Sequence, residues 1–454
     1  VRYVSTRGSA PVLGFRDTLL AGLARDGGLY VPETWPAIPA VDATDYPAAA
    51  RAVIEPYIGD EIATADLDRL VREAYASFRD PRVAPLVEIG PDRWLLELFH
   101  GPTLAFKDVA LQLVGRLFDH VLAERGERIM VVGATSGDTG SAAIDGVRHC
   151  ANVEVVMLYP RGRVSEVQRR QMTTIDAPNV RCVAIDGSFD DCQDLVKAMF
   201  NDTAFRDEHR LAAVNSINWA RVMAQVVYYA TARAALGRRC SFSVPTGNFG
   251  NVLAGWIARR TGADVGRLIV ASNVNDILTR FLESLTMSIV GVTPTLSPSM
   301  DIQVSSNFER LLFEMNDRDG AVTAAQMERF RATGELAVTG PQHERWLRGA
   351  FAAHRVDDDT TLATIARVHR ETGILIDPHT AVGVVAADSC AEPGEAIVTL
   401  ATAHPAKFPD AVERATGVRP ALPEHLADLF DLPEHSVDLP NDLGAVQRFV
   451  ANHR

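Results

Sequence analysis

Short apolar runs that alternate with stretches of helical spacing constrain the fold of this chain more than any other feature. RWLLELF (93–99), RIMVVGAT (128–135), NVEVVMLYP (152–160) and NVRCVAIDG (179–187) each read as a strand. Between them, DVALQLVGRLFDHVLAER (108–125) and GSAAIDGVRHC (140–150) space their apolar residues as helices do. Strands that are apolar on both faces and separated by helices belong to a parallel sheet covered on both sides. A second sheet is expected from CSFSVPTGNFG (240–250) through RLIVASN (267–273), GILIDPHTAVGVVAA (373–387) and EAIVTLATAHPAKF (395–408). The expected class is therefore α/β, with two doubly wound domains.

The division that follows is residues 1–92 as a mainly helical N-terminal segment, 93–223 as the first α/β domain and 224–454 as the second. A charged, helix-like insert is expected at about 295–370. Within the first segment, prolines at Pro32, Pro36 and Pro39 precede ATADLDRLVREAYASF (63–78), a helical pattern that Thr64 is placed to cap. The 45 basic and 58 acidic side chains leave a net charge of −13. That balance argues against nucleic acid or an anionic membrane as the main partner. No apolar run approaches the roughly 18–20 residues that span a bilayer, and VRYVSTRGSAPVLGF lacks the pattern of a secretory signal. A cytoplasmic protein is expected. Five cysteines without a CxxC pair, and twelve histidines without HExxH, point to reduced core thiols and no metal site.

Five segments carry residues with chemistry. In FHGPTLAFKD (99–108), Lys107 sits where a strand end meets a helix start, flanked by Ala105 and Phe106. Desolvation there would lower its pKa and leave an amine able to form a Schiff base; an ordinary lysine that snorkels to water fits the same segment. GATSGDTGSA (133–142) opens a helix with small and hydroxyl residues, which suits a carboxylate as well as it suits a plain capped turn. PTGNFGN (245–251) repeats the arrangement, with Gly247 and Gly250 letting the backbone wrap an anion such as a phosphate. LATAHPAKF (400–408) puts the Thr402 hydroxyl at a strand's C-terminal end, where doubly wound folds hold ligands. His404 and Lys407 carry no signal on their own. YPRGRVSEVQRRQM (159–172) and VNSINWARVMAQ (214–225) supply Arg163, Ser165, Asn218 and Arg221 for a second anion, while Arg169 and Arg170 read as a solvated helix face.

Together, and in this order, FHGPTLAFKD, GATSGDTGSA, LYPRGRVSEVQ, NSINWARV, PTGNFGN and LATAHPAKF resemble the threonine synthase family, in its bacterial and fungal branch. YVSTRG and DGGLYVPE near the N-terminus extend the resemblance over nearly the whole chain. The resemblance implies a fold type II pyridoxal-phosphate enzyme, similar to the tryptophan synthase β subunit, with pyridoxal 5'-phosphate in a cleft between two α/β domains. It implies Lys107 as Schiff-base lysine, Gly247, Asn248, Phe249, Gly250 and Asn251 around the cofactor phosphate, and Thr402 facing the pyridine nitrogen. Substrate would meet Thr135, Ser136, Asp138, Thr139, Arg163, Ser165, Asn218 and Arg221, with Asp138 ordering its loop rather than pairing with a carboxylate. The implied reaction is a lyase reaction turning O-phospho-L-homoserine and water into L-threonine and phosphate, catalysed by a monomer or homodimer. A serine/threonine dehydratase or a phospho-amino-acid lyase of the same fold is the alternative.

Overall fold

The computed structural model describes residues 1–453. Two parallel sheets organise it. The larger runs in the order Phe351–Arg355, Val265–Ser272, Cys240–Pro245, Ile397–Ala401, Arg93–Glu97, Leu86–Gly90. Every neighbouring pair in it is parallel except the last, which is an antiparallel hairpin. The smaller runs Val437–Leu439, Val180–Ile185, Val153–Pro160, Ile129–Ala134, Leu211–Ala212, parallel throughout. Cys240–Pro245 is buried at all six positions, and Val153–Pro160 at all but one. Helices thus cover both faces, which is why these strands read as unbroken apolar runs.

Sheet membership cuts across the division at 93–223 and 224–454. The strand at Arg93–Glu97 pairs with Ile397–Ala401, in the larger sheet, and not with the strands that follow it in sequence. Conversely, the chain returns at its end to add Val437–Leu439 to the edge of the smaller sheet. There Val446 and Val450 of the last helix pack with Cys192, Leu195 and Met199. Local spacing reveals a strand but says nothing of which open edge it will join. The 295–370 region holds helices at Phe308–Met315, Gly320–Thr333 and Asp358–Thr372, yet it also contributes Phe351–Arg355 as an edge strand of the larger sheet. That strand is only half-buried, so FAAHR lacks the alternation that marks a core strand. Thr64 does not cap its helix: Ala63 occupies the cap, and the Thr64 hydroxyl donates to Glu55 instead.

The N-terminal segment is tied down by buried polar contacts. Arg7 makes a bidentate ion pair with Glu309 at 3.0 and 2.9 Å, and Thr6 donates to the same carboxylate at 2.7 Å. Trp219 donates to the Tyr3 hydroxyl, which donates in turn to the Tyr57 carbonyl. This fixes the segment against the helix Trp219–Leu236. No helix among the described residues is long and apolar enough to cross a membrane.

One helix pair positions the site. The helices Lys107–Arg125 and Asp138–Val147 lie side by side with almost no space between their backbones. A Cβ on Gly115 would fall 2.0 Å from the Gly146 carbonyl oxygen, and one on Gly146 would fall 2.5 Å from the Leu111 carbonyl oxygen. Only glycine fits at either place, because backbone cannot yield as a side chain can. We predict that Gly115→Ala costs about 1–3 kcal/mol in a urea melt. Gly90→Ala, where nothing lies within 4 Å, should stay within about 0.5 kcal/mol.

Candidate active site

Lys107 is the first residue of its helix and is 7% exposed. The turn before it is held from inside: the Asp108 carboxylate accepts from the Thr103 amide at 2.8 Å and the Thr103 hydroxyl at 2.6 Å. Burial pushes Asp108 up to about 7, with the Thr103 contacts opposing it. Leu104 adopts a left-handed φ of 65°, and Gly101 leaves the room that Asp108 fills. This turn is stitched to the chain leaving Ile397–Ala401. Ala105 and Ala403 form an antiparallel bridge, Phe106 donates to the Thr402 carbonyl at 2.9 Å, and His404 donates to the Leu104 carbonyl at 3.0 Å. Lys107 and Thr402 thus share the C-terminal end of a central strand, where open α/β sheets hold ligands.

Asp138 begins the neighbouring helix. Its turn is pinned by Thr135, whose hydroxyl accepts from the Gly137 and Gly140 amides at 2.9 Å each, while Gly137 takes a φ of 143°. The Asp138 carboxylate meets two ammonium groups. Oδ2 lies 3.2 Å from Lys107 Nζ, and Oδ1 lies 2.9 Å from Lys407 Nζ. Gln168 Nε2 also donates to Oδ1 at 2.7 Å, and the Ser165 hydroxyl donates to Gln168 Oε1 at 2.9 Å. Lys407 is wholly buried and donates to the Thr103 carbonyl at 2.7 Å. Burial would raise Asp138, but Lys107, Lys407 and Gln168 outweigh it and hold the carboxyl well below the usual range. Burial pulls Lys107 below its ordinary value; Asp138 opposes this, while Lys407 and Arg221 add to it.

Arg221 is 3% exposed, and its Nε and Nη1 find no acceptor among the described residues. Burial pushes it down to about 10. Five fixed donors on a desolvated guanidinium without a carboxylate describe a place for an anion. Asn218, one turn earlier, is already engaged: it accepts from the Ala220 amide as helix cap and donates to the Leu19 carbonyl.

A second feature with open donors lies at 245–251. The helix Gly250–Thr261 starts with no side-chain cap, leaving its first amides open. Phe249 stands at a φ of 63°, with its ring held by Phe308 and Phe351 at 5.5 and 6.2 Å between centroids. The buried ring anchors the loop, so the backbone can face a ligand. Gly247 passes so near the Ser299 carbonyl that a Cβ would sit 2.5 Å from it, and Ser305 donates to the Gly247 carbonyl at 2.8 Å. Asn307 donates to the Asn248 carbonyl, and Tyr228 donates to the Asn251 side chain. Uncapped helix amides and a desolvated lysine amine are the donor set that a phosphorylated aldehyde requires.

Of the residues singled out in sequence, Lys107, Asp138, Arg221 and the Thr402 backbone come together, with Ser165 joined through Gln168. Thr135 spends its hydroxyl within its own turn, and Asn218 divides its side chain between its helix cap and the Leu19 carbonyl. Ser136 is exposed and Thr139 half-buried at the mouth of the same turn. Arg163 is exposed, and its charge is felt at Asp191. Arg169 and Arg170 do not form a free solvated face: both pair with Glu434, and Arg170 also lies over Phe430. His404 is structural, with Nδ1 accepting from the Ala406 amide, and burial with Arg79 and His100 pushes it down to about 4. Lys407, set aside in sequence as carrying no signal of its own, belongs to the site, and so does Gln168, which the sequence did not single out. A lone cation inside the apolar run ATAHPAKF was the available signal for the first; nothing marked the second.

Three family profiles match the chain: "Threonine synthase N terminus" over 2–75, "Pyridoxal-phosphate dependent enzyme" over 81–353 and "Threonine synthase, C-terminal" over 380–450. A threonine synthase of Pseudomonas aeruginosa is 54% identical across 100% of this chain and 98% of its own length. One of Corynebacterium glutamicum is 42% identical across 99% and 98%. The crystal structure of pyridoxal-phosphate-bound threonine synthase from Brucella melitensis superposes with a TM-score of 0.97 at 52% identity, covering 100% of this chain and 99% of that one.

The lack of any partner for the Arg221 Nε and Nη1 gives a direct test. Arg221→Met should leave the ligand-free protein as stable as before, or more stable by about 1–3 kcal/mol, because it removes a buried unsatisfied charge. Inorganic phosphate should raise the melting temperature of the parent and not of the variant.

Proposed function

The chain belongs to the threonine synthase family of fold type II pyridoxal-phosphate enzymes, and from that premise we propose the following assignment of its residues. The reaction is the conversion of O-phospho-L-homoserine and water into L-threonine and inorganic phosphate. Two separate anion-binding features around one desolvated lysine carry the reading. The open amides of Gly250 and Asn251, with Gly247, Asn248 and Phe249, suit the cofactor phosphate; the unpartnered Arg221 suits the substrate phosphate. A serine/threonine dehydratase of the same fold has no use for the second.

Bound pyridoxal phosphate supplies the electron sink that stabilises negative charge on the substrate carbon beside the amino group. Everything else is done by the chain. Lys107 would hold the cofactor and, as a free amine, would take the protons at Cα and Cβ. A buried amine with a lowered pKa is suited to that work near neutral pH. Arg221 orients the leaving phosphate so that the Cβ–H and Cγ–O bonds align, spending binding energy remote from Cα on the step at Cβ. The amides and hydroxyls of Ser136 and Thr139 receive the substrate carboxylate, on a turn that Asp138, Gln168 and Ser165 keep in shape. Thr402 presents a hydroxyl, not a carboxylate, to the cofactor's ring nitrogen. Arg163, which is exposed, would meet the substrate phosphate only from outside this cluster. The reading is of a cytoplasmic enzyme with a small-molecule substrate, working as a monomer or homodimer.

Incubated with O-phospho-L-homoserine, the purified holoenzyme should release threonine and phosphate in equal amounts; 2-oxobutyrate in place of threonine would transfer the chain to the dehydratases. Lys107→Ala should lower turnover by about 10³-fold or more, since it removes both nucleophile and base. Because Lys107 works as the neutral amine and its pKa lies below the ordinary 10.5, kcat should rise with pH along a limb centred below that value. A limb at or above it would mean that burial does not tune this lysine.

A further inference from the structure

The reaction requires one lysine, and the structure buries two on a single carboxylate. Lys107 and Lys407 differ in how firmly they are held. Lys107 has one polar partner, Asp138 Oδ2, at 3.2 Å. Lys407 has two closer ones, Asp138 Oδ1 at 2.9 Å and the Thr103 carbonyl at 2.7 Å, and has no exposed surface. The carboxylate they share also accepts from Gln168, which braces the 135–139 turn. Asp138 itself is 6% exposed.

We propose that Lys407 is the permanent counter-cation of Asp138, keeping that carboxylate charged and the 135–139 turn ordered during the part of the cycle in which Lys107 is bonded to the cofactor. The argument rests on the assignment of Lys107 made above. On attachment, the Lys107 ammonium gives a proton to solvent, its nitrogen forms a C=N bond to the cofactor aldehyde, and the aldehyde oxygen leaves as water. The nitrogen that remains is drawn to the cofactor and is no longer a free ammonium for Asp138. With only Lys107 beside it, Asp138 would become an unpaired buried charge at that moment, which proteins tolerate poorly. It would take up a proton and loosen its hold on Gln168. With Lys407 in place, attachment and release of Lys107 leave the turn undisturbed. Lys407 is thus a positioning residue, acting on substrate and cofactor through Asp138.

The test compares apoprotein and holoprotein of Lys407→Met and Lys407→Arg. In the apoprotein Lys107 still pairs with Asp138, so Lys407→Met should melt close to the parent. In the holoprotein it should not, and pyridoxal phosphate, titrated by absorbance into the apoprotein, should bind tenfold or more weakly. Lys407→Arg, which keeps the charge, should bind within about threefold of the parent. The double variant Asp138→Asn with Lys407→Met has no carboxylate to strand, and should recover most of the lost affinity. A Lys407→Met chain whose apoprotein and holoprotein lose stability equally, or fail to fold, would show a purely structural lysine and overturn the proposal. So would a double variant no better than Lys407→Met. A parent protein that does not bind pyridoxal phosphate at all would defeat the assignment of Lys107 instead, and the two failures are therefore separable.

Discussion

The site depends on one buried carboxylate. Asp138 is the point at which three stretches of chain far apart in sequence are made to agree: the Lys107 helix start, the Gln168 helix and the turn after Ile397–Ala401 that carries Lys407. A desolvated carboxylate is costly unless its charge is paired, and here Lys107, Lys407 and Gln168 share that task. That sharing turns an electrostatic liability into a geometric specification. It also explains why a residue that cannot bind the substrate carboxylate lies at the centre of the turn expected to receive it.

Backbone packing makes the arrangement possible. Lys107 and Asp138 each open a helix, and those helices touch through Gly115 and Gly146 with no side chain between them. Two helix starts held this near one another would both favour an anion; here they receive one carboxylate, and the two lysines are placed against it. The Lys107 turn is in turn bridged to residues 402–404, and Lys407 follows within one short helical turn. Neither lysine can shift without moving a sheet.

Much of this was legible in the sequence, in a graded way. The central strands of both sheets stood out because they are buried on both faces, and the loops stood out because glycine and hydroxyl residues cluster where strands turn into helices. GILIDPHTAVGVVAA, expected in the second sheet, instead forms the buried helix Pro378–Cys390, since a short apolar run reads alike as a core strand or a core helix. Lys107 was readable from its position at such a junction. What stayed hidden was anything decided by chain segments meeting in space. FAAHR gave no strand signal because an edge strand is half exposed, and RWLLE gave no hint that its partner lies some three hundred residues later. Thr135 and Asn218 were credited with ligand contacts because a hydroxyl or an amide in a loop looks the same whether its bonds turn inward or outward. Lys407 and Gln168 were passed over for the complementary reason: their significance exists only beside Asp138.

The charge balance of the finished site indicates what it is built to receive. Lys107 and Lys407 both rest on the Asp138 carboxylate, Asp108 beside them is raised by burial to about 7, and the Arg221 Nε and Nη1 have no acceptor among the described residues. A chain whose overall charge is −13 has ample acid with which to pair that guanidinium and does not use it there. Uncompensated positive charge in a buried pocket raises the energy of the empty protein, and ligands that bring phosphate and carboxylate groups relieve it. Burial lowers the pKa of Lys107, and the same neighbouring cations add to that lowering because each disfavours its ammonium form. On the proposed assignment, anion binding and amine activation are two consequences of one arrangement, and a substrate carrying both a phosphate and an amino group would engage both at once.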